Sequence, residues 1–272
     1  MEFKSLRHFK KGLLALLLWL AAMPTAFAII TRHDRSSDAY RVQASEYPAV
    51  FYLERQGARK VCVATLIDPQ WAITAAHCLA QTSMPARLEA GDDFMVEVAG
   101  VERGIQQAVI HPDYSSTQGP DVDLALLRFS EALPYPRPLP LYRQSDELHQ
   151  VVTLLGWGYT GIGTTGRQRD DGDLRRAHNR ISQVDHQLLF RFDDPREPAS
   201  DALEFEGMPG LGDSGGPALL VQADGSWLLG VAVGELMGAD FDEETQGSYG
   251  AQAVYERISR HQEWIDGVIG GR

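Results

Sequence analysis

The chain of 272 residues carries 25 Lys+Arg against 37 Asp+Glu, a formal net charge of −12. A surface so acidic repels nucleic-acid phosphates and anionic lipid headgroups, which argues against both as partners. The length suffices for one large β domain or two small ones with ample core.

The first 28 residues stand apart. Lys4, Arg7, Lys10 and Lys11 precede the apolar run LLALLLWLAAM and the small-residue ending Ala26-Phe27-Ala28, the order of a secretory signal peptide. An uncleaved membrane anchor is the alternative, but 11 apolar residues are too few to span a bilayer comfortably. Cleavage would remove four of the 25 basic residues and one of the 37 acidic ones, leaving residues 29–272 with a net charge of about −15. It would also leave Lys60 as the sole lysine. The expectation is a secreted or periplasmic protein with no membrane association after cleavage.

From there the periodicity is that of strands. Short apolar or alternating runs recur at 50–55, 61–68, 94–103, 123–129, 151–157, 217–222 and 227–233, separated by glycine, proline and acidic clusters. ADGS at 223–226 reads as a hairpin turn between two of them. The polar stretch 161–180 reads as an exposed loop whose arginines offer a nicking site. A helix over about 255–270 is expected because Val254, Ile258, Ile265 and Ile269 share one helical face. Cys62 and Cys78 are the only cysteines. In an exported chain they read as one disulfide, with two free thiols as the alternative.

The chemistry centres on GMPGLGDSGGPALL, residues 207–220, where Ser214 sits among glycines ahead of an apolar run. A serine hydroxyl needs a base, and the base needs a group to fix its tautomer. His77, in WAITAAHCLA, is the candidate base, although an isolated histidine near apolar residues is more often structural. Asp123, in GPDVDLALLRF, is the candidate orienter; Asp121 competes with it, and either could instead be a turn residue. Glycines next to Ser214 would let successive N–H groups converge on one oxyanion. The same stretch satisfies the G-x-S-x-G elbow of α/β-hydrolases, but only His261 follows Ser214 and the regular βα alternation is missing, so that reading is rejected.

The chain resembles the chymotrypsin/trypsin-type serine proteases, as a bacterial-type secreted member. The resemblance rests on CVATLI (62–67), TAAHC (74–78), HPDY (111–114), DLALL (123–127), GWG (156–158), GDSGGP (212–217) and VYERIS (254–259), in the family's order from about residue 48 to the C-terminus. It implies an all-β fold of two antiparallel β-barrels, at about 45–140 and 141–253, with a C-terminal helix and the catalytic residues in the cleft between the barrels. It implies His77 as general base and acid, Asp123 rather than Asp121 as its buried partner, and Ser214 as nucleophile. By the same resemblance the N–H groups of Gly212 and Ser214 form the oxyanion hole, Cys62–Cys78 brackets the histidine, and Trp157 is a packing residue. No cofactor or metal is expected. The implied activity is a secreted serine endopeptidase with a protein or peptide substrate and a protein inhibitor as a second class of partner. A catalytically silent binding protein on the same fold, or an esterase-like acyl hydrolase, is the alternative.

Two departures matter. The Ile-Val-Gly-Gly activation sequence is missing; signal cleavage would instead expose Ile29-Ile30-Thr31-Arg32, whose amine would pair with Asp213. Alternatively Asp213 has another partner and residues 29–34 form an ordered arm. The position six before the nucleophile, an aspartate in trypsin-like members, is Met208, and Gly210 stands where many relatives have a cysteine. Met208 as base, with Val233, Gly234 and Glu235 along the opposite wall and Ala253 behind, implies an apolar or small pocket. Glu235, or an acid within 201–206, could still reach in.

Overall fold

The computed structural model describes residues 29–115, 122–236 and 245–271. The leader 1–28 and Asp121 therefore lie outside the described residues. After a short N-terminal strand β1 (Ile29–Thr31), the first barrel comprises β2 (Val50–Gln56), β3 (Arg59–Asp68), β4 (Trp71–Thr74), β5 (Phe94–Val98), β6 (Val101–Ile110) and β7 (Ala125–Phe129). Helices α1 (His77–Ala80) and α2 (Met84–Glu89) connect β4 to β5. Then follow β8 (Val151–Gly156), β9 (Tyr159–Ile162), β10 (Gly166–Asp170), β11 (Arg175–Val184), β12 (Gln187–Arg191), β13 (Gly207–Met208), β14 (Pro217–Gln222), β15 (Gly225–Glu235), β16 (Gln252–Arg257) and α3 (Gln262–Gly270).

The first six-stranded sheet runs β2-β3-β4-β7-β6-β5 and curls until β2 approaches β5. The second, β11-β12-β16-β15-β14-β8, closes into a barrel. The architecture is all-β, two antiparallel barrels with a short C-terminal helix.

The continuous apolar runs have a simple cause: many strands are buried on both faces. Alternate residues of β2 and β7 (Phe51, Leu53; Ala125, Leu127, Phe129) fill the first barrel. Their neighbours Val50 and Leu126 turn outward, with Leu124 just ahead of β7, to meet Leu155, Leu219, Leu228 and Val231 from the second barrel. A third cluster, including Leu154, Phe190, Leu220 and Tyr255, fills the second barrel. The interface cluster fixes how the barrels face each other.

Two expectations are corrected. The C-terminal helix begins at Gln262, not near 255. Residues 252–257 are strand β16 instead, because Val254 pairs with Leu189 on one side and Gly234 on the other. The segment 161–180 is not an exposed loop: it contributes β10 and the start of β11. Arg175 there is 0% exposed. Its guanidinium makes two hydrogen bonds to the Asp171 carboxylate at 3.0–3.1 Å, which offsets the cost of burying the charge.

Candidate active site

Strand register brings the first two candidates together. Thr74, the last residue of β4, lies opposite Ala125, the first of β7. His77 follows one and Asp123 precedes the other, so both emerge at the same end of the barrel. A disulfide joins Cys62 on β3 to Cys78 on α1 and ties down the turn that carries His77.

The buried Asp123 carboxylate engages His77 twice. Oδ1 accepts the His77 backbone N–H at 2.9 Å, and Oδ2 lies 2.5 Å from Nδ1. An ionised carboxylate only accepts, so this contact places the imidazole proton on Nδ1 and leaves the Nε2 lone pair available.

Ser214 comes from the second barrel, in the turn between β13 and β14. Its carbonyl accepts the Val63 N–H at 2.8 Å, and the Gly212 carbonyl accepts the Cys62 N–H at 3.0 Å. These bonds seat the turn directly on β3. The Cys78 sulfur lies 3.5 Å from the Ser214 carbonyl oxygen, so the serine turn adjoins the disulfide next to His77. Glycine is required here: Gly215 has φ +81°, and a Cβ there would lie 2.1 Å from the Val63 oxygen. Gly212 has φ +98°. Its N–H and that of Ser214 have no hydrogen-bond partner among the described residues. No hydrogen bond joins His77 to Ser214 among them either; such bonds often tighten only when substrate is bound.

Asp213 is 1% exposed and accepts the Gly158 N–H at 2.6 Å and the Gly210 N–H at 2.8 Å. Burial pushes its carboxyl up to about 7, and no cation pairs with it among the described residues. No hydrogen bond joins Ile29 to Asp213. Ile29 is nevertheless near: it pairs with Thr160 on β9, two residues beyond the Gly158 amide that holds Asp213. The Ile29 carbonyl accepts the Thr160 hydroxyl. The backbone of Ile29 has φ +58°, a costly conformation for a β-branched residue.

The expected specificity positions are less open. Met208 is 1% exposed, paired with Ile30 across β1–β13 and packed in one cluster with Phe190, Phe192, Ala253 and Tyr255. Val233 and Glu235 are half-buried, Gly234 is exposed, and the Glu235 carboxylate accepts the Gly247 N–H at 2.9 Å. Of the acids in 201–206, Glu206 is buried and its carboxylate is taken up by backbone groups. Its oxygens accept the Asp193 and Leu203 N–H groups at 2.7 and 2.6 Å, and burial pushes its carboxyl up to about 7.

A family model for Trypsin matches residues 36–265. The chain belongs to the trypsin family. Curated relatives include the bovine (Bos taurus) suppressor of tumorigenicity 14 protein homolog, 28% identical over 88% of this chain and 29% of its own length. Ovochymase of Halocynthia roretzi is 28% identical over 75% of this chain and 13% of its own. Mouse (Mus musculus) transmembrane protease serine 11C is 24% identical over 89% of this chain and 55% of its own. The chain thus spans between 13% and 55% of the length of these relatives. Among solved structures, mouse neuropsin, a serine protease expressed in the limbic system, superposes with a TM-score of 0.63 at 20% identity. That match covers 85% of this chain and 98% of neuropsin's, and it is a likeness of fold.

Two features of this trypsin-family member escaped the sequence reading. Lys60 lies against the rings of Tyr52 and Trp157, 4.8 and 5.6 Å from their centroids, and burial lowers its pKa. Glu256, on β16, is buried and reaches the backbone of Asp123. No side-chain motif signals it, because its partner is a backbone N–H in the other barrel. Cys62, His77 and Cys78 also form the one group of metal-type donors among the described residues, but their sulfurs are bonded to each other.

Proposed function

We propose that the chain, cut before Ile29, is a secreted or periplasmic serine endopeptidase working through an acyl-enzyme. The observation that supports this best is the double attachment of His77 to Asp123, set beside a serine turn whose Gly212 and Ser214 N–H groups have no internal partner. His77 Nε2 takes the Ser214 hydroxyl proton as Oγ attacks the substrate carbonyl, and Asp123 stabilises the imidazolium. The Gly212 and Ser214 N–H groups hold the oxyanion. His77 then gives its proton to the leaving amine, and water, activated by the same base, releases the acyl group and regenerates Ser214. This family is the type case for that sequence of steps.

Export supplies the activating terminus. Cutting the 28–29 bond abolishes the dihedral that strains Ile29 and creates an amine two residues from the amide that holds Asp213. A buried carboxylate with a pKa near 7 has every reason to accept such a partner. Met208 and Ala253, both apolar and buried, favour a small or apolar substrate side chain, with Val233, Gly234 and Glu235 along the substrate backbone. A protein inhibitor would compete at the same surface.

The test is labelling of residues 29–272 by a fluorophosphonate, with Ser214→Ala as control, followed by assay on an unfolded protein and on small esters. Labelling lost in the variant, with cleavage of the protein, supports the reading. An unlabelled native chain would favour a silent binding protein, and ester cleavage alone an acyl hydrolase.

A further inference from the structure

The Asp123 carboxylate spends both oxygens on His77, so its aim depends on how the Asp123 backbone is held. That backbone is held from the other barrel. The Asp123 N–H donates to Glu256 Oε1 at 3.1 Å, and Glu256 is a 1% exposed residue of β16. The same oxygen accepts Gln187 Nε2–H at 2.8 Å, while Oε2 faces His261 Nε2 at 3.6 Å. The next residue is pinned from the opposite side, where the Leu124 carbonyl accepts the His111 N–H at 2.9 Å. The His111 ring in turn lies against His261 and Trp264, with centroids 5.1 and 4.6 Å apart. The C-terminal segment thus grips Asp123–Leu124 through Glu256 on one side and the His111 ring on the other.

We infer that Glu256 is a positioning residue for the reaction: it sets the aim of Asp123, and through it His77, across the barrel interface. The inference rests on the catalytic roles given above. A buried carboxylate here is costly unless its oxygens are used, and Oε1 accepts two hydrogen bonds while Oε2 faces the His261 ring. Without it the buried Asp123 N–H would have no acceptor, and the segment would rotate to find one. What Glu256 supplies at Asp123 is an acceptor at a set reach, not a charge.

Reach and charge separate by substitution. Glu256→Asp keeps the charge and withdraws the oxygen by one methylene; Glu256→Gln keeps the reach and removes the charge. The D variant should lose between about 10- and 100-fold in kcat, the scale of a small misplacement of catalytic groups, with KM within about twofold of the native value. The Q variant should retain at least about a third of native kcat. A D variant with native kcat, or a Q variant as impaired as D, overturns the inference. Amide hydrogen exchange at Asp123 in the native and Q chains gives a reading that does not need the D variant to fold. Slow exchange at Asp123 in both is expected, and fast exchange in the folded native chain overturns the inference. Fluorophosphonate labelling of native Ser214 is run alongside: if it fails, the catalytic reading has failed, whereas labelling with an unaffected D variant fails Glu256 alone.

Discussion

The two halves of the site are built by different means. The His77–Asp123 half is held by side-chain bonds and a covalent staple: two hydrogen bonds to one carboxylate and the Cys62–Cys78 disulfide. The Ser214 half is held by backbone conformation, with Gly212 and Gly215 in left-handed geometry and the turn laid on β3. The first kind of support fails when a partner is lost, whereas the second fails when a side chain is added at Gly215, where a Cβ would lie 2.1 Å from the Val63 oxygen. The serine half also carries a buried carboxylate, Asp213, held by the Gly158 and Gly210 N–H groups.

The sharpest way to break that comparison is at the reacting atoms. Ser214→Ala should remove activity by several orders of magnitude, and Asp123→Asn by about the 10⁴-fold that the family's type case sets; single-turnover kinetics on a small ester would read both. An Asn variant of near-native rate would mean that the His77–Asp123 half does not orient the base.

Next in size is Gly215→Ala, where the Cβ would lie 2.1 Å from a backbone oxygen and 2.3 Å from the Thr74 hydroxyl. A loss on the order of 4 kcal/mol is expected in urea unfolding, since both strain and overpacking act. A loss below 1 kcal/mol would show that the turn can move off β3.

Asp213 offers a pH signature. Its folded pKa near 7 stands above the ordinary 3.8, so the folded chain binds this proton more tightly than the unfolded one. The resulting stabilisation is complete below pH 3.8 and is lost as pH rises through about 7. Its ceiling is about 4 kcal/mol. A chain with residues before Ile29 attached should show this decline in Tm, and one cut before Ile29 should not, because the amine would hold the carboxylate charged. Glu206 titrates with the same sign in both chains and cancels in the difference. Identical pH profiles would sink the pairing of Ile29 with Asp213.

Replacing both cysteines by serine should cost about 3 kcal/mol, the loop-closure value for a separation of 16 residues. The activity loss should exceed what global unfolding explains, because the staple adjoins His77. The smallest effect is expected at Gly57→Ala. Its φ of +68° is equally left-handed, but nothing lies within 4 Å, so the cost should be about 1 kcal/mol. Equal costs at Gly57 and Gly215 would mean that dihedral strain alone, and not the contact with β3, governs the serine half.

These differences in support also govern what could be read from the sequence. Strands buried on both faces announced themselves as apolar runs, and β2, β3, β7, β8, β14 and β15 lie close to where the pattern put them. Strands β10 and β11 were hidden because they bury charge as ion pairs: Arg175 is stabilised by Asp171, four residues earlier, a partnership that looks like loop composition. The helix start was misjudged because Val254 and Ile258 satisfy a helical spacing while β16 claims the first of them. Glu256 was invisible as a site residue, since its partner is a backbone N–H 133 positions away and no side-chain motif encodes it.

Lys60, the sole lysine beyond residue 28, has a practical consequence. A chain beginning at Ile29 contains two primary amines in all, one against Tyr52 and Trp157 and the other at its own start. Reductive methylation therefore becomes a counting experiment readable on the intact mass. A native chain that takes label at Lys60 alone, and at both amines once unfolded, has its terminus locked inside the protein.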